Sequence, residues 1–72
     1  MNKSLLRSYM AKYNDTQETL ASALRISLSR LNAKINETDG AEFKQTEIAF
    51  IKMRYHLSPK EIDAIFFGKI MS

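Results

Sequence analysis

The side chains best placed to bind another molecule lie in the stretch from Gln17 to Asn36. This stretch predicts two short helices joined by a tight turn. The outward positions of the second helix hold a mostly polar and basic set: Ser29, Arg30, Asn32, Ala33 and Lys34. Hydroxyl, amide and cationic side chains of this kind form hydrogen bonds and ion pairs with a partner. The stretch therefore favours binding over catalysis.

The rest of the chain offers little for catalysis, which needs a nucleophile with a base or a pair of carboxylates in a cleft. His56 is the single histidine and falls at the end of a predicted helix, where it interacts with terminal carbonyls. Asp39 and Glu42 lack the spacing of a calcium loop. No glycine-rich phosphate loop or cluster of metal ligands is found. We expect no enzyme activity, no cofactor and no metal.

Local signals place both helices of the central stretch. The first runs from Gln17 to about Leu24 with Thr16 as its N-cap, and Ser27 caps the second. Helical spacing predicts these inward residues: Leu20, Ala21, Leu24, Leu31 and Ile35. The small side chain of Ala21 lets the second helix cross closely. We interpret residues 17–36 as a helix-turn-helix.

Three further helices complete the predicted fold. The first covers residues 2–13, the fourth runs from Gln45 to about His56, and the fifth begins at the capping box of Ser58 and Glu61 and ends at Gly68. Phe50 and Met53 lie to one side of the fourth helix, where partial exposure is expected. The remaining large apolar residues either form a second interaction surface or, for most of them, lie in the core: Phe50, Met53, Phe67, Ile70 and Met71. Nothing reads as a strand. The expected fold is an all-α, compact five-helix bundle in one domain over residues 1–72.

Composition fits a small cytoplasmic protein. The chain has 72 residues, no cysteine and a net charge of +3. No apolar run is long enough to span a membrane, and the start is too polar for a signal peptide. Residues 1–36 carry six basic against two acidic residues, whereas residues 37–72 carry five against six. A basic half that contains the helix pair fits phosphate binding, but it also fits an ordinary solvated surface.

The helix-pair pattern resembles the DNA-binding domains of phage repressors and Cro proteins. The residues that carry this resemblance are Gln17, Leu20, Ala21, Leu24, Ile26, Ser27, Leu31 and Asn36. Downstream, the chain looks like the variant common in phages of Gram-positive bacteria, through Phe43, Glu47, Ile48, Tyr55, Leu57, Ser58 and the ending Ile65-Phe66-Phe67. More narrowly, it resembles the small Mor-type modulators of repression of temperate lactococcal phages.

This resemblance implies a lambda-repressor-like fold and a role in a phage genetic switch in the host cytoplasm. It also assigns roles to residues. Gln17 would hold a phosphate at a helix N-terminus. Positions that read base edges in the family are held here by Ser27, Leu28, Ser29 and Asn32. Arg30 and Lys34 would add phosphate contacts, although simple helix initiation also explains Gln17 and Ser27.

Two departures weaken direct DNA reading. Arg25 stands where many relatives have a turn glycine. Of the residues facing outward, only Asn32 and a suitably aimed Arg30 discriminate strongly between bases. A partly apolar recognition helix also suits a protein partner, with Leu28 as anchor and a charged rim. That rim comprises Arg25, Arg30 and Lys34.

What the narrower resemblance implies agrees, since such modulators act together with the phage CI repressor in the choice between lysis and lysogeny. We therefore expect binding to the CI repressor, through its N-terminal DNA-binding domain, that modulates or blocks operator binding. The alternative is a stand-alone Cro-like repressor that binds operator DNA directly. We expect no membrane partner and no small-molecule substrate, and a monomer that becomes ordered in a heteromeric complex.

Overall fold

The computed structural model describes residues 1–68. Five α-helices, joined by turns and loops, make up most of this range. They are α1 (Lys3–Lys12), α2 (Gln17–Leu24), α3 (Leu28–Asn36), α4 (Gln45–Arg54) and α5 (Pro59–Phe66). A short 3-10 turn at Thr38–Gly40 leads from α3 towards α4. Residues 1–68 contain no strand. The predicted all-α fold with five helices is confirmed, and none of these helices has the length and apolar character needed to cross a bilayer.

The helices begin where the sequence supplies capping side chains. Thr16 Oγ1 accepts a hydrogen bond from the Thr19 amide at 3.1 Å. Ser27 caps α3 and Ser58 caps α5 in the same way, and Asn2 caps α1. Each such cap contributes about 1 kcal/mol. The caps predicted at Thr16, Ser27 and Ser58 are confirmed.

One core joins all five helices. Its buried apolar residues are Leu6, Met10, Leu20, Ala21, Leu31, Ile35, Ile51, Tyr55, Leu57, Ile62 and Ile65. Every residue predicted to face inward on α2 and α3 either belongs to this set or packs against it, as Leu24 does. The apolar spacing therefore predicted the core correctly on these helices.

Three large apolar side chains lie outside this core. Phe50, Met53 and Phe67 are 39%, 78% and 58% exposed. The inward side of α4 is formed by Ile48, Ile51 and Tyr55. Because Phe50 and Met53 lie off that stripe, the helix carries them away from the core. The exposure expected for Phe50 and Met53 is confirmed, whereas Phe67 is not in the core, as was expected for most of this set. Ile70 and Met71 lie outside the described residues.

A buried carboxylate ties the α1–α2 turn to the end of α4. Asp15 Oδ2 accepts hydrogen bonds from Arg54 Nε and from the Tyr55 hydroxyl, both at 2.6 Å. Asp15 Oδ1 accepts from Arg54 Nη2 at 2.9 Å and from Thr19 Oγ1 at 2.7 Å. The hydrogen bond from Arg54, helped by those from Tyr55 and Thr19, outweighs burial and holds the pKa of the Asp15 carboxyl well below its usual range. This Asp15 cluster fixes where α2 starts relative to α4.

Candidate functional site

The turn between α2 and α3 is tight and is made without glycine. Arg25 takes the left-handed conformation, with φ 60° and ψ 40°. The amides of Arg25 and Ile26 donate to the carbonyls of Ser22 and Ala21, at 3.1 and 3.0 Å, which closes the end of α2. Ile26 is half-buried against the core, and Ser27 then starts α3. Only three residues separate the helices, so the position of α3 on α2 is narrowly set.

The first turn of α3 forms the exposed centre of the candidate site. Leu28 is the first residue of the helix and 40% exposed. Ser29 and Arg30 are also exposed, whereas Asn32 and Ala33 are half-buried. Gln17 lies half-buried at the start of α2. The face that α3 presents is therefore short, with an apolar side chain beside one arginine.

Lys34 does not belong to that face, which corrects its predicted outward position. Its side chain is only 3% exposed. Lys34 Nζ donates to Glu47 Oε1 at 2.8 Å and to the Glu42 carbonyl at 3.2 Å. Position 34 follows the inward Leu31 by three residues, so it lies at the edge of the inward stripe, and the segment after Gly40 covers it. Lys34 therefore cannot contact a phosphate without breaking this pair.

Glu47 is the partner of Lys34 in this ion pair. In the sequence, Glu47 stood out only as part of the family resemblance, and its pairing with Lys34 was not predicted. Its Oε1 also accepts from the Lys44 amide at 2.7 Å, so it replaces the side-chain cap that Lys44 does not supply to α4. Burial alone would raise the pKa of the Glu47 carboxyl, but the hydrogen bonds and charges of Lys34 and Lys44 outweigh it and lower that pKa. The pair links α3 to the start of α4.

Replacing Lys34 with methionine is expected to destabilise the fold by about 2–3 kcal/mol, because the Glu47 carboxylate is then left buried without its cation. Thermal unfolding followed by circular dichroism measures the loss. The double variant with Glu47→Gln should recover part of it, since the orphan charge is removed. Lys52→Met, at an exposed position of α4, is the matched control and should change stability by less than about 0.5 kcal/mol. Equal melting temperatures for the Lys34 variant and the wild type would contradict the assignment.

A cleft beside α3 brings several of the predicted site residues together. One wall carries Ser27, Ser29, Arg30, Ala33 and part of the otherwise buried Lys34, and the other is formed by residues 38–42. That second wall includes Asp39 and Glu42, both exposed. Acidic side chains beside Arg30 reduce the attraction of this side of α3 for a phosphate. Arg25 is not in the cleft; it lies at the edge of a separate depression between α2 and α4.

No family model, curated protein or solved structure matches this chain. Functional assignment therefore depends on the geometry of the α2–α3 surface. Within residues 1–68, no three histidine, cysteine or acidic side chains come close enough together to hold a metal ion. His56 is exposed just after α4, and its ring centroid lies 6.1 Å from that of Tyr13. Neither observation identifies a metal-binding or catalytic site within the described residues.

Proposed function

We propose that this chain is a non-enzymatic transcriptional regulator of a phage lysis–lysogeny switch. In this proposal α2 and α3 act as a helix-turn-helix whose exposed face binds the phage CI repressor, at its DNA-binding domain, and modulates or blocks operator binding. The Mor-type resemblance of the sequence supports the choice of partner. The observation that carries the proposal is the exposed Leu28 in the first turn of α3.

An apolar residue at the centre of an exposed helix face suits a protein interface. Interfaces concentrate their binding energy in a few central side chains that lose contact with water, surrounded by a polar rim. Leu28 supplies such a centre, and Ser29, Arg30 and Arg25 are exposed close to it in the chain. Binding there would hide the recognition helix of one or both partners.

The charges near α3 support the same choice. Affinity for duplex DNA depends on lysine and arginine side chains that neutralise several phosphates. The burial of Lys34 leaves Arg25 and Arg30 as the exposed cations of residues 25–36. The following loop carries the exposed acids Asp39 and Glu42, and also Glu37, whose carboxylate is paired with the N-terminal ammonium at 2.8 Å. This balance is poor for a phosphate backbone and ordinary for a protein interface.

A stand-alone Cro-like operator binder is the second candidate. It is favoured by Asn32, which remains partly accessible and whose amide pairs well with the edge of adenine. Asn32→Ala should then weaken the preference for one base pair while the affinity for other sequences stays the same. If the chain works through the repressor, the same substitution leaves binding to every DNA sequence equally weak.

Isothermal titration of the purified chain with the purified CI repressor of the same phage tests the proposal. We expect a saturable complex with a Kd of about 1 μM or tighter. A parallel titration with switch-region DNA should show weak binding that disappears as salt is raised. Absence of a repressor complex, together with tight binding to one DNA sequence, would favour the second candidate.

A further inference from the structure

A depression between the end of α2 and the start of α4 lies on the surface beside the α2–α3 turn. Its lining comprises Ala23, Leu24, Arg25, Thr46, Glu47 and Phe50. Leu24 is half-buried and the Phe50 ring is 39% exposed, so the walls are mainly apolar and open to water. The depression is separate from the cleft beside Arg30. The loop after α3 forms one wall of that cleft.

Arg25 at the edge of this depression is held in an unfavourable backbone conformation. At φ 60° a side chain crowds the backbone, and glycine is the residue that fits best. Four other non-glycine residues, His56 among them, share this conformation, so at Arg25 it ends α2 and does not by itself mark a function. The Arg25 side chain is exposed and makes no hydrogen bond or ion pair with any residue from 1 to 68. Its charge is therefore available to a partner.

The charge balance of the depression is positive. Glu47 is the one acid in the lining, and its carboxylate is already paired with Lys34 Nζ at 2.8 Å and with the Lys44 amide at 2.7 Å. Arg25 has no such neutralising partner within the described part of the chain. An apolar hollow with a free cation at its edge complements an apolar side chain that has a carboxylate next to it.

We propose that this depression receives an apolar side chain of the protein partner and that Arg25 pairs with a carboxylate beside that side chain on the partner. This inference rests on the proposed function, because it specifies where the surface of the proposed partner carries an acidic side chain. Arg25 would then determine specificity by selecting partners with an acid at that position.

Other occupants fit less well. The walls formed by Leu24 and Phe50 offer a nucleic-acid backbone no hydrogen bond, so its polar contacts there would be limited to Arg25 and the Thr46 hydroxyl. A second copy bound symmetrically through this patch would bring two Arg25 charges close to each other. The acidic protein surface therefore matches more of the observed features.

Arg25→Gly separates the two effects of the residue. The variant should melt roughly 2–6 °C higher than the wild type, because glycine removes the backbone strain. It should bind the purified CI repressor about tenfold more weakly, with a shallower salt dependence, because an ion pair is lost. Arg25→Lys keeps the charge and should retain most of the affinity.

His56→Gly is the matched control. His56 is also exposed and also left-handed, at φ 53°, but it follows α4 and lies outside the depression. It should raise the melting temperature and leave repressor affinity unchanged. As a second variant, Phe50→Ser should lower repressor affinity about tenfold, whereas Met53→Ser on the same helix should not.

The outcomes are distinct for the two proposals. If the wild type does not bind the repressor, the proposed function fails and this inference fails with it. If the wild type binds and Arg25→Gly binds equally well, the inference is overturned while the proposed function stands. Loss of DNA affinity or of self-association in Arg25→Gly, with repressor affinity unchanged, would also overturn it.

Discussion

Replacing Leu28 with aspartate is expected to weaken the complex with the CI repressor by about 100-fold or more. Leu28 is the apolar centre of the α3 face, and a buried aspartate without a cation is strongly unfavourable in an interface. The fold should tolerate the change. Leu28 is 40% exposed, and it is the first residue of α3, where the helix dipole favours a negative charge.

Titration of the purified repressor measures this loss, and circular dichroism confirms that the variant is folded. Met53→Asp is the matched control, because Met53 is a more exposed large apolar residue on α4. It should bind the repressor as the wild type does. A folded Leu28→Asp variant with wild-type affinity would show that the α3 face is not the binding surface.

A loss of stability as large as that expected for Lys34→Met is expected from Asp15→Asn. The carboxylate accepts hydrogen bonds from Arg54, Tyr55 and Thr19, and a neutral amide in its place would lack the charge that Arg54 needs. We expect a loss of about 2–3 kcal/mol in the free energy of unfolding. This is no more than the lower limit of about 3 kcal/mol for breaking a fully buried ion pair, because the unpaired Arg54 can be hydrated. Its side chain is 33% exposed. The melting temperature should fall by roughly 10–20 °C.

The same cluster makes stability depend on acid pH. The pKa of Asp15 is lowered in the folded chain, so its contribution is complete above the unfolded pKa of about 3.9 and is lost as the pH falls below that value. The wild type should therefore lose stability below about pH 4 more steeply than Asp15→Asn does. Asp39→Asn is the control, because Asp39 is exposed and left-handed, which asparagine also tolerates. If the free energy of unfolding falls equally steeply below about pH 4 in Asp15→Asn and in the wild type, this role of Asp15 is contradicted.

Helix starts were predictable because the signals are local. Thr16, Ser27 and Ser58 each lie three residues before the amide that they cap, so a short window of sequence contains the whole interaction. The left-handed conformation of Arg25 was expected only from the family resemblance, in which a turn glycine stands at this position.

The side chains whose positions the sequence did not predict make contacts with residues that are distant in sequence. Asp15 meets Arg54 across 39 positions, and Lys34 meets Glu47 across 13. Helical spacing alone shows Lys34 near the border of the inward stripe, but not that a following segment covers it. The offset of Phe50 and Met53 from the inward stripe of α4 indicated their exposure, whereas the hydrophobicity of Phe67 suggested burial that the fold does not give it.

The most direct test of action through the repressor is the occupancy of switch-region DNA by the CI repressor, measured by fluorescence anisotropy with and without this chain. Two salt concentrations separate specific from purely electrostatic binding. We predict that the chain alone binds the DNA weakly at both concentrations and that adding it shifts the repressor–DNA equilibrium. Tight, sequence-selective binding by the chain alone, with the repressor's own affinity for DNA unchanged, would contradict the account.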